Sequence, residues 1–363
     1  MRDIKVSIIT VSLNSVHTIE QTILSVLDQS YQNIEYIIID GKSTDGTCNI
    51  IKKYEDVLFY YVSEPDKGIY DAMNKGLRRA TGDIIGLINS DDWYEADAVS
   101  KVVNHFTSGK AELVHGKMCF IDEKGNCTCS KEKMLSHLWY MAGIVLHPTV
   151  FVKRSVYEKY GVFNTDYRIA ADYDLLLRFY AKGVRFEYID EIISNFRTGG
   201  ISSDNYLEGN EEARRIALSY IDQCPNKDFV LTQIYRNYEL TKNIPIIEEK
   251  PSIVCDFLRE EFQGVEEGTV VFGTGEWGGR IESVLRFGKI PIVMFVDNNE
   301  TMWGTRKNGI AVYSPQKLRD YKGCVIIAVK DGCHEISRQL TELGNAALKM
   351  ITLEDIWKGV SGK

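Results

Sequence analysis

No stretch of the 363 residues is long and apolar enough to cross a bilayer. The longest apolar segment, LWYMAGIVLHPTVFV at 138–152, falls short of the roughly 20 residues that a spanning helix needs and carries His147 and Pro148. The chain also lacks a cationic stripe: 43 Lys and Arg against 51 Asp and Glu give a formal charge of −8. Nucleic-acid backbones are gripped by clustered positive side chains, so nucleic acid is excluded as a partner and any anionic ligand should be small. The opening MRDIKVSIITVSLN runs directly into a strand pattern without an apolar leader core or a cleavage site, which makes a cytoplasmic location the expectation. Eight cysteines, Cys48, Cys119, Cys127, Cys129, Cys224, Cys255, Cys324 and Cys333, show no paired two-residue spacing of a zinc site and are expected to be reduced and structural. Internal repeats and low-complexity tracts are missing as well.

What is present is ordinary globular composition, 44% hydrophobic, in a chain long enough for two domains. The first hundred residues alternate strand and helix: KVSIITVSL then HTIEQTILSVLDQ, EYIIID then STDGTCNIIKKY, LFYYVSE then GIYDAMNKGLRRAT, and finally DIIGLINSDD. Such alternation implies crossover connections and a mostly parallel sheet, with ligands outside the carboxyl ends of the strands. Asp40 and the adjacent Asp91 and Asp92 stand at such ends. Two neighbouring carboxylates repel each other and are costly to bury alone, so a positive partner is expected beside them. Hard carboxylate oxygens suit magnesium or manganese, and capping of the following helix is the bland alternative.

Residues 110–200 read as shorter strands and loops around the helix ADYDLLLRFYAKG, and polar helical sequence follows to about 243. The charged, proline-bearing TKNIPIIEEKPS at 241–252 reads as a linker, dividing the chain into domains 1–245 and 246–363. The second begins GTVVFGTGEWGGRIESVLRFG, with Gly273, Gly275 and Gly278 at its first turn and Asp297 closing the next strand. That spacing is the fingerprint of a dinucleotide site. Three clear strands amount to half of a full dinucleotide fold, so a packing or regulatory module is preferred over an NAD(P) site.

The ordered blocks SIITVSLNS, IIIDGKSTDGT, EPDKGIYDAMNKGLRRATGDIIGLINSDDWY and HPTVFVKRSVYEKYGVFNTDYRIAADYDLLLRF together resemble glycosyltransferase family two, over about residues 4–220. The resemblance implies the α/β GT-A nucleotide-diphospho-sugar transferase fold, a mixed and mostly parallel sheet, here followed by a smaller Rossmann-like α/β domain. It implies that Asp40 accepts a hydrogen bond from the base, that Ser12 and Asn14 line the nucleoside, and that Asp91 and Asp92 stand at the metal-binding DXD motif, with Asp91 the first choice of ligand. Asn89 replaces the first aspartate of that motif and Gly41 the commoner second aspartate after Asp40. Asp172 falls at the position of the catalytic base. Asp174, two residues on, belongs to another helix face and reads as a solvent or capping residue held in reserve. Lys67 is a candidate for the diphosphate or the acceptor, Arg197, beside Gly199 and Gly200, is a candidate for the diphosphate, and His147 reads as a hydrogen-bonded core residue.

The function expected on this resemblance is metal-dependent, inverting transfer of a sugar from a nucleotide-sugar, UDP-linked, to a hydroxyl in surface polysaccharide or lipopolysaccharide assembly. The cofactor is Mn2+ or Mg2+. The acceptor is a glycan or lipid-linked glycan, which would bring the protein to the inner face of the membrane. Two alternatives are a bifunctional protein with an NAD-binding reductase or epimerase-like second domain, and a non-catalytic nucleotide-sugar-binding subunit. No sequence feature sets an oligomeric state.

Overall fold

The computed structural model describes residues 4–122, 124–198, 205–263, 267–329 and 332–360. The first nine strands, β1 (Val6–Ser12), β2 (Ile34–Asp40), β3 (Tyr60–Ser63), β4 (Ile84–Asn89), β5 (Trp93–Tyr94), β6 (Leu113–Ile121), β7 (Cys127–Cys129), β8 (Phe151–Lys153) and β9 (Phe186–Arg197), form one sheet. It runs β3-β2-β1-β4-β8-β6-β9-β5, with β7 paired to β6. The long pairings, β1 with β2, β1 with β4, β2 with β3 and β6 with β9, are parallel, and the antiparallel ones span only two or three residues. Val6 to Ser12 is buried at every position because both faces of this sheet are covered. Ile9, Val11, Ile37 and Ile39 pack on one side with Met73, Leu77 and the helix Ala171–Ala181; Ile8 and Ile38 pack on the other with Ile19, Ile23, Val99 and Val102. That two-sided burial is why these strands read as unbroken Val/Ile runs.

Residues 110–200 hold longer strands than the sequence suggests: nine residues in β6 and twelve in β9. Their ladder slips between Gly116 and Lys117 and again between Lys117 and Met118. The irregularity breaks the alternation that would have announced a long strand.

Chain contacts divide the protein into two units, Met1–Tyr235 and Arg236–Lys363. The stretch expected as a linker is helical, Ile244–Glu249 and Pro251–Glu261. Pro251 occupies the first helical position, where a missing N–H costs nothing, so here a proline starts a helix. The second unit contains β10 (Glu267–Phe272), β11 (Ile292–Val296), β12 (Arg306–Lys307), β13 (Ile310–Tyr313), β14 (Gly323–Ile327) and β15 (Lys349–Thr352), in the order β12-β13-β11-β10-β14-β15. Its five parallel members follow the order third, second, first, fourth, fifth of doubly wound sheets. Only three of the six strands are evident in the sequence, because β12, β13 and β15 are two to four residues long.

Candidate active site

The parallel register places Ser12 beside Asp40 and Val11 beside Asn89, so the ends of β2, β1 and β4 lie in a row along one sheet edge. Two inter-strand spacings, about 10 Å, separate the Asp40 and Asn89 backbones. Asp40 is fully buried and accepts from Ser12 Oγ (2.9 Å), Ser43 Oγ (2.5 Å), Ser43 N (2.9 Å), Ser63 Oγ (2.6 Å) and Cys48 Sγ (3.2 Å). Burial alone would raise its pKa, but the Ser43 and Ser63 hydroxyls, the Ser43 N–H and the Cys48 thiol overcome it and hold the carboxyl below its usual range. A base N–H reaching Asp40 must displace one of these donors.

The neighbouring loops interlock. Asn14, in the left-handed region at φ 52, accepts from Thr44 N through Oδ1 (2.9 Å) and donates its own N–H to Ser43 Oγ (2.7 Å). At Gly41, which stands where a second aspartate is commoner, a Cβ would lie 2.5 Å from Asp66 Oδ2, so a side chain there requires the Asp66 carboxylate to move. Asp66 in turn accepts from Gly68 N at 3.0 Å and shapes the turn that carries Lys67, which is exposed and gives its backbone N–H to Asp71.

At the end of β4, the Asp92 N–H bonds to Asn89 O, Thr22 Oγ1 donates to Asp92 O (2.7 Å), and the Arg197 backbone N–H donates to Asp92 Oδ1 (3.2 Å). Asp92 is fully buried, yet among the described residues its Oδ2 has no hydrogen-bond partner, nor has the buried Asn89 Oδ1. Burial first and the charge of Asp91 second push the Asp92 carboxyl up to about 8, offset in part by Arg197 N–H and the Asn89 side chain. Asp91, half-buried, is also raised by burial, with its own backbone N–H and then Arg197 pulling the other way. The Arg197 guanidinium lies 4.9 Å from the Trp93 ring centroid and bonds to the Gln21 side chain, while its buried Nε has no partner among the described residues. Gly199 and Gly200 lie outside the described residues. Two neighbouring carboxylates and two unpartnered oxygens form a hard-oxygen set, which fits a divalent cation once the carboxyls release their protons.

A cavity of about 260 Å³ joins this strand end to Asp172, with Asn89, Tyr70, Met118, Phe120 and His147 among its walls. That is just below the lower end of ligand pockets, about 300 Å³. Asp172 is the second residue of the helix Ala171–Ala181, and Tyr70 Oη donates to its Oδ1 (3.2 Å) and to Ile169 O (2.6 Å). The turn before the helix is clamped by buried Glu212, whose carboxylate accepts from Arg168 N (2.7 Å), Ile169 N (2.8 Å) and Ala170 N (2.9 Å). Sequence reasoning passes over both residues. Tyr70 reads as part of an amphipathic helix and Glu212 as one acid among several in a polar one; only burial singles them out.

Two expectations change here. Asp174 is neither a solvent nor a capping residue: it is buried and held by Arg178 (3.4 Å) and Tyr220 Oη (3.2 Å), because the helix is covered on that face too. His147 stands on the cavity wall, its ring edge-on to Phe163 at 5.6 Å. Burial lowers its pKa against the opposing charge of Asp172, so the imidazole is neutral at pH 7. The cysteines also depart from expectation. Cys119 and Cys127 are joined in a disulfide across the β6–β7 hairpin, diagonal to the register, which sets Cys119 opposite Cys129.

In the second unit the glycine turn forms as its spacing predicts. Gly273 has φ 106, and a Cβ on Gly278 would lie 1.9 Å from Gly273 O, so helix and strand pack through bare backbone. Asp297, however, is taken up by the chain itself: Oδ2 accepts from Thr274 N (2.7 Å) and Thr274 Oγ1 (2.6 Å) of the glycine turn, and Oδ1 from Asn299 N (2.8 Å) of its own loop. The Lys307 ammonium bonds to Thr274 O and, at 3.2 Å, to Gly275 O.

Comparison with known proteins gives separate matches in the two units. The profile described as glycosyl transferase family 2 matches residues 7–142, and one described as C2185-like, N-terminal, matches residues 265–351. An uncharacterized glycosyltransferase of Mycobacterium tuberculosis is 34% identical over 184 residues, 48% of this chain and 68% of the relative. A PGL/p-HBAD biosynthesis glycosyltransferase of Mycobacterium bovis is 28% identical over 220 residues, 59% of this chain and 84% of the relative. Among solved structures, the 1–349 fragment of S. aureus TarS in complex with UDP superposes with a TM-score of 0.54 at 18% identity, covering 70% of this chain and 79% of the fragment. The chain spans 48% of the longer TarS structure. These likenesses bear out the GT-A expectation for the fold.

Proposed function

The chain belongs to glycosyl transferase family 2, and from that premise we propose that it moves a sugar from a UDP-sugar to a hydroxyl of a growing glycan, with inversion and with a divalent cation. The observation that carries the reading is the buried Asp92, with an oxygen left unpartnered, at the end of a strand whose last residue, Asn89, opens into the cavity of Asp172. The UDP complex of TarS supports uridine as the base.

In this reading Ser12, Asn14 and Asp40 shape the nucleoside site, and Lys67 and Arg197 flank the diphosphate. Asp92, with Asp91 beside it and Asn89 replacing the first motif acid, would hold Mn2+ or Mg2+. Such a cation supplies charge neutralisation for a departing diphosphate, worth several kcal/mol in a site poor in water. Asp172, oriented by Tyr70 and by the clamped turn ahead of it, takes the proton of the acceptor hydroxyl as the anomeric centre is captured, and such assistance contributes about 100- to 10,000-fold. Neutral His147 offers a hydrogen bond to the sugar or acceptor without competing for that proton.

A lipid-linked acceptor in polysaccharide assembly, met at the cytoplasmic face of the membrane, fits this chemistry. No helix among the described residues is long and apolar enough to cross a membrane. We assign residues 1–245 to the transferase and 246–363 to an accessory Rossmann-like domain.

The test is thermal stabilisation by a panel of nucleotide-sugars, with and without Mn2+. Ligand at 100 times its dissociation constant stabilises by about 2.7 kcal/mol, so a true donor produces a clear shift. No response to any UDP-sugar in the presence of Mn2+ would overturn the proposal.

A further inference from the structure

The β6–β7 hairpin gathers three of the eight cysteines into one place. Side chains alternate along a strand, so Cys127 and Cys129 share one face of β7, and the antiparallel register sets Cys129 opposite Cys119. Cys119 and Cys127 are joined, and Cys129 Sγ lies 3.8 Å from Cys127 Sγ and 3.9 Å from Cys119 Sγ. Among the described residues the hairpin sulfurs bond only to one another. The second group of this kind, Cys333, His334 and Glu354, already has its cation: Arg236 donates to Cys333 Sγ at 2.8 Å and pairs with Glu354 at 3.1 Å.

We propose that Cys119, Cys127 and Cys129, once reduced, form a three-thiolate site for a soft divalent cation of the zinc class. Tetrahedral zinc with bonds of about 2.3 Å to sulfur sets its ligands about 3.8 Å apart, which is the spacing of the two open edges of the sulfur triangle. The third edge opens on reduction. An external dithiol gives two electrons and two protons to the Cys119–Cys127 bond and becomes a disulfide itself; the three thiols then release three protons as the cation binds. Cys119 is buried while Cys127 and Cys129 are exposed, so the fourth coordination position faces solvent.

The site has a consequence for the cavity. Met118 and Phe120 flank Cys119 in β6 and both line the Asp172 cavity, so alternation turns Cys119 to the opposite face of the strand. A cation there fastens β7 to the back of the cavity wall, and oxidation releases the cation.

The experiment uses the full-length protein, reduced by a phosphine without oxygen or left oxidised, and titrated with Cd2+. Thiolate-to-metal absorption reports only sulfur ligation, which separates this site from the Asp91/Asp92 pair, and Zn2+ is then measured by displacement of Cd2+. By that absorption, reduced protein is expected to bind one thiolate-ligated cation per chain and oxidised protein none. Cys129→Ser should weaken binding by at least about 100-fold, since even the groups that orient a ligand are worth 10- to 100-fold. Cys324→Ser, a buried cysteine of the second unit, should bind as wild type does. Absence of thiolate absorption in reduced wild type, or equal affinity in Cys129→Ser shown folded by circular dichroism, overturns the proposal.

Discussion

Each of the two sheets brings an aspartate to the carboxyl edge of its strands, and the two aspartates differ in what they lack. Asp92 is fully buried and keeps an oxygen without a partner, next to Asn89 with another. Asp297 spends its oxygens on Thr274 and Asn299, and Lys307 caps the same loop from outside. Buried polar groups are nearly always paired in native proteins, so unpaired ones at a strand end mark a place where the bonding is completed by something other than the chain. On the proposed function the first edge is completed by an external ligand, whereas the second is closed by the chain's own groups. A sequence fingerprint can therefore be complete, as Gly273, Gly275, Gly278 and Asp297 are, with its aspartate spent on tying the glycine turn to the end of the next strand.

The sharpest contrast should come from Asp172→Asn, which removes the proposed base and leaves the strand ends untouched. Turnover is expected to fall about 100-fold or more, with little change in donor KM and none in Mn2+-dependent UDP binding. Near-wild-type transfer in this variant would remove Asp172 from the chemistry. Because Asp174 is bonded to Arg178 and Tyr220, Asp174→Asn should act on stability instead.

Next in size is the acid pair. Asp92→Asn should weaken Mn2+-dependent UDP binding by at least about tenfold, by calorimetry, and Asp91→Asn should weaken it as well. The pH dependence has a definite sign. The folded Asp92 carboxyl is raised to about 8 from the ordinary 3.8, so folding favours its protonated form. The stability it contributes without metal is complete below about pH 4 and is lost as pH rises toward 8. Denaturation of the metal-free protein should show this decline, and Asp92→Asn should flatten it. Cation binding at pH 7 should release a proton that is absent in the variant. A wild-type pH profile identical to that of Asp92→Asn would mean that the carboxyl is not held protonated.

Smaller still is the effect of Glu212→Gln. The amide keeps one acceptor oxygen for the three N–H groups of residues 168–170 but loses the charge, for an expected loss of about 1–2 kcal/mol in denaturant unfolding. Since this turn sets the start of the Asp172 helix, kcat should drop while UDP affinity holds; a stability loss with unchanged kcat would reduce Glu212 to a purely structural role.

That residue also marks the boundary of what the sequence makes legible. Parallel strands buried on both faces announce themselves as Val/Ile runs, and the residues at their ends, Ser12, Asp40, Asn89 and Asp92, follow from register alone. Contacts made across distant chain positions carry no such signal. Glu212 meets the 168–170 turn from more than 40 residues away, and Tyr70 meets Asp172 from 102 positions away. The cysteine hairpin is intermediate: Cys119, Cys127 and Cys129 are close in sequence, but only the register of β6 on β7 brings their sulfurs to one face. In β6 itself the slipped ladder hides the strand, and at Pro251 the residue read as a break begins a helix.

The smallest expected effect tests the closed half of the comparison. Asp297→Asn keeps the size of the side chain and its acceptor oxygen, but it removes the charge from bonds to Thr274 N, Thr274 Oγ1 and Asn299 N. A hydrogen bond to a charged group is worth about 1.5–3 kcal/mol against about 1 for a neutral one, and the loop is partly open to water, so the net loss should be about 1 kcal/mol. It should appear in the unfolding of the second unit, followed through Trp277, Trp303 and Trp357. UDP-sugar binding and transfer should be unchanged, because the acid pair, the cavity and Asp172 all belong to the first unit. NAD should stabilise neither protein: a ribose seeking Asp297 finds its oxygens engaged by the chain's own N–H and hydroxyl groups, and breaking those bonds returns little beyond what they already supply. If NAD stabilises the wild type and Asp297→Asn abolishes that response, the loop opens to a ligand after all, and the two strand ends are alike in kind.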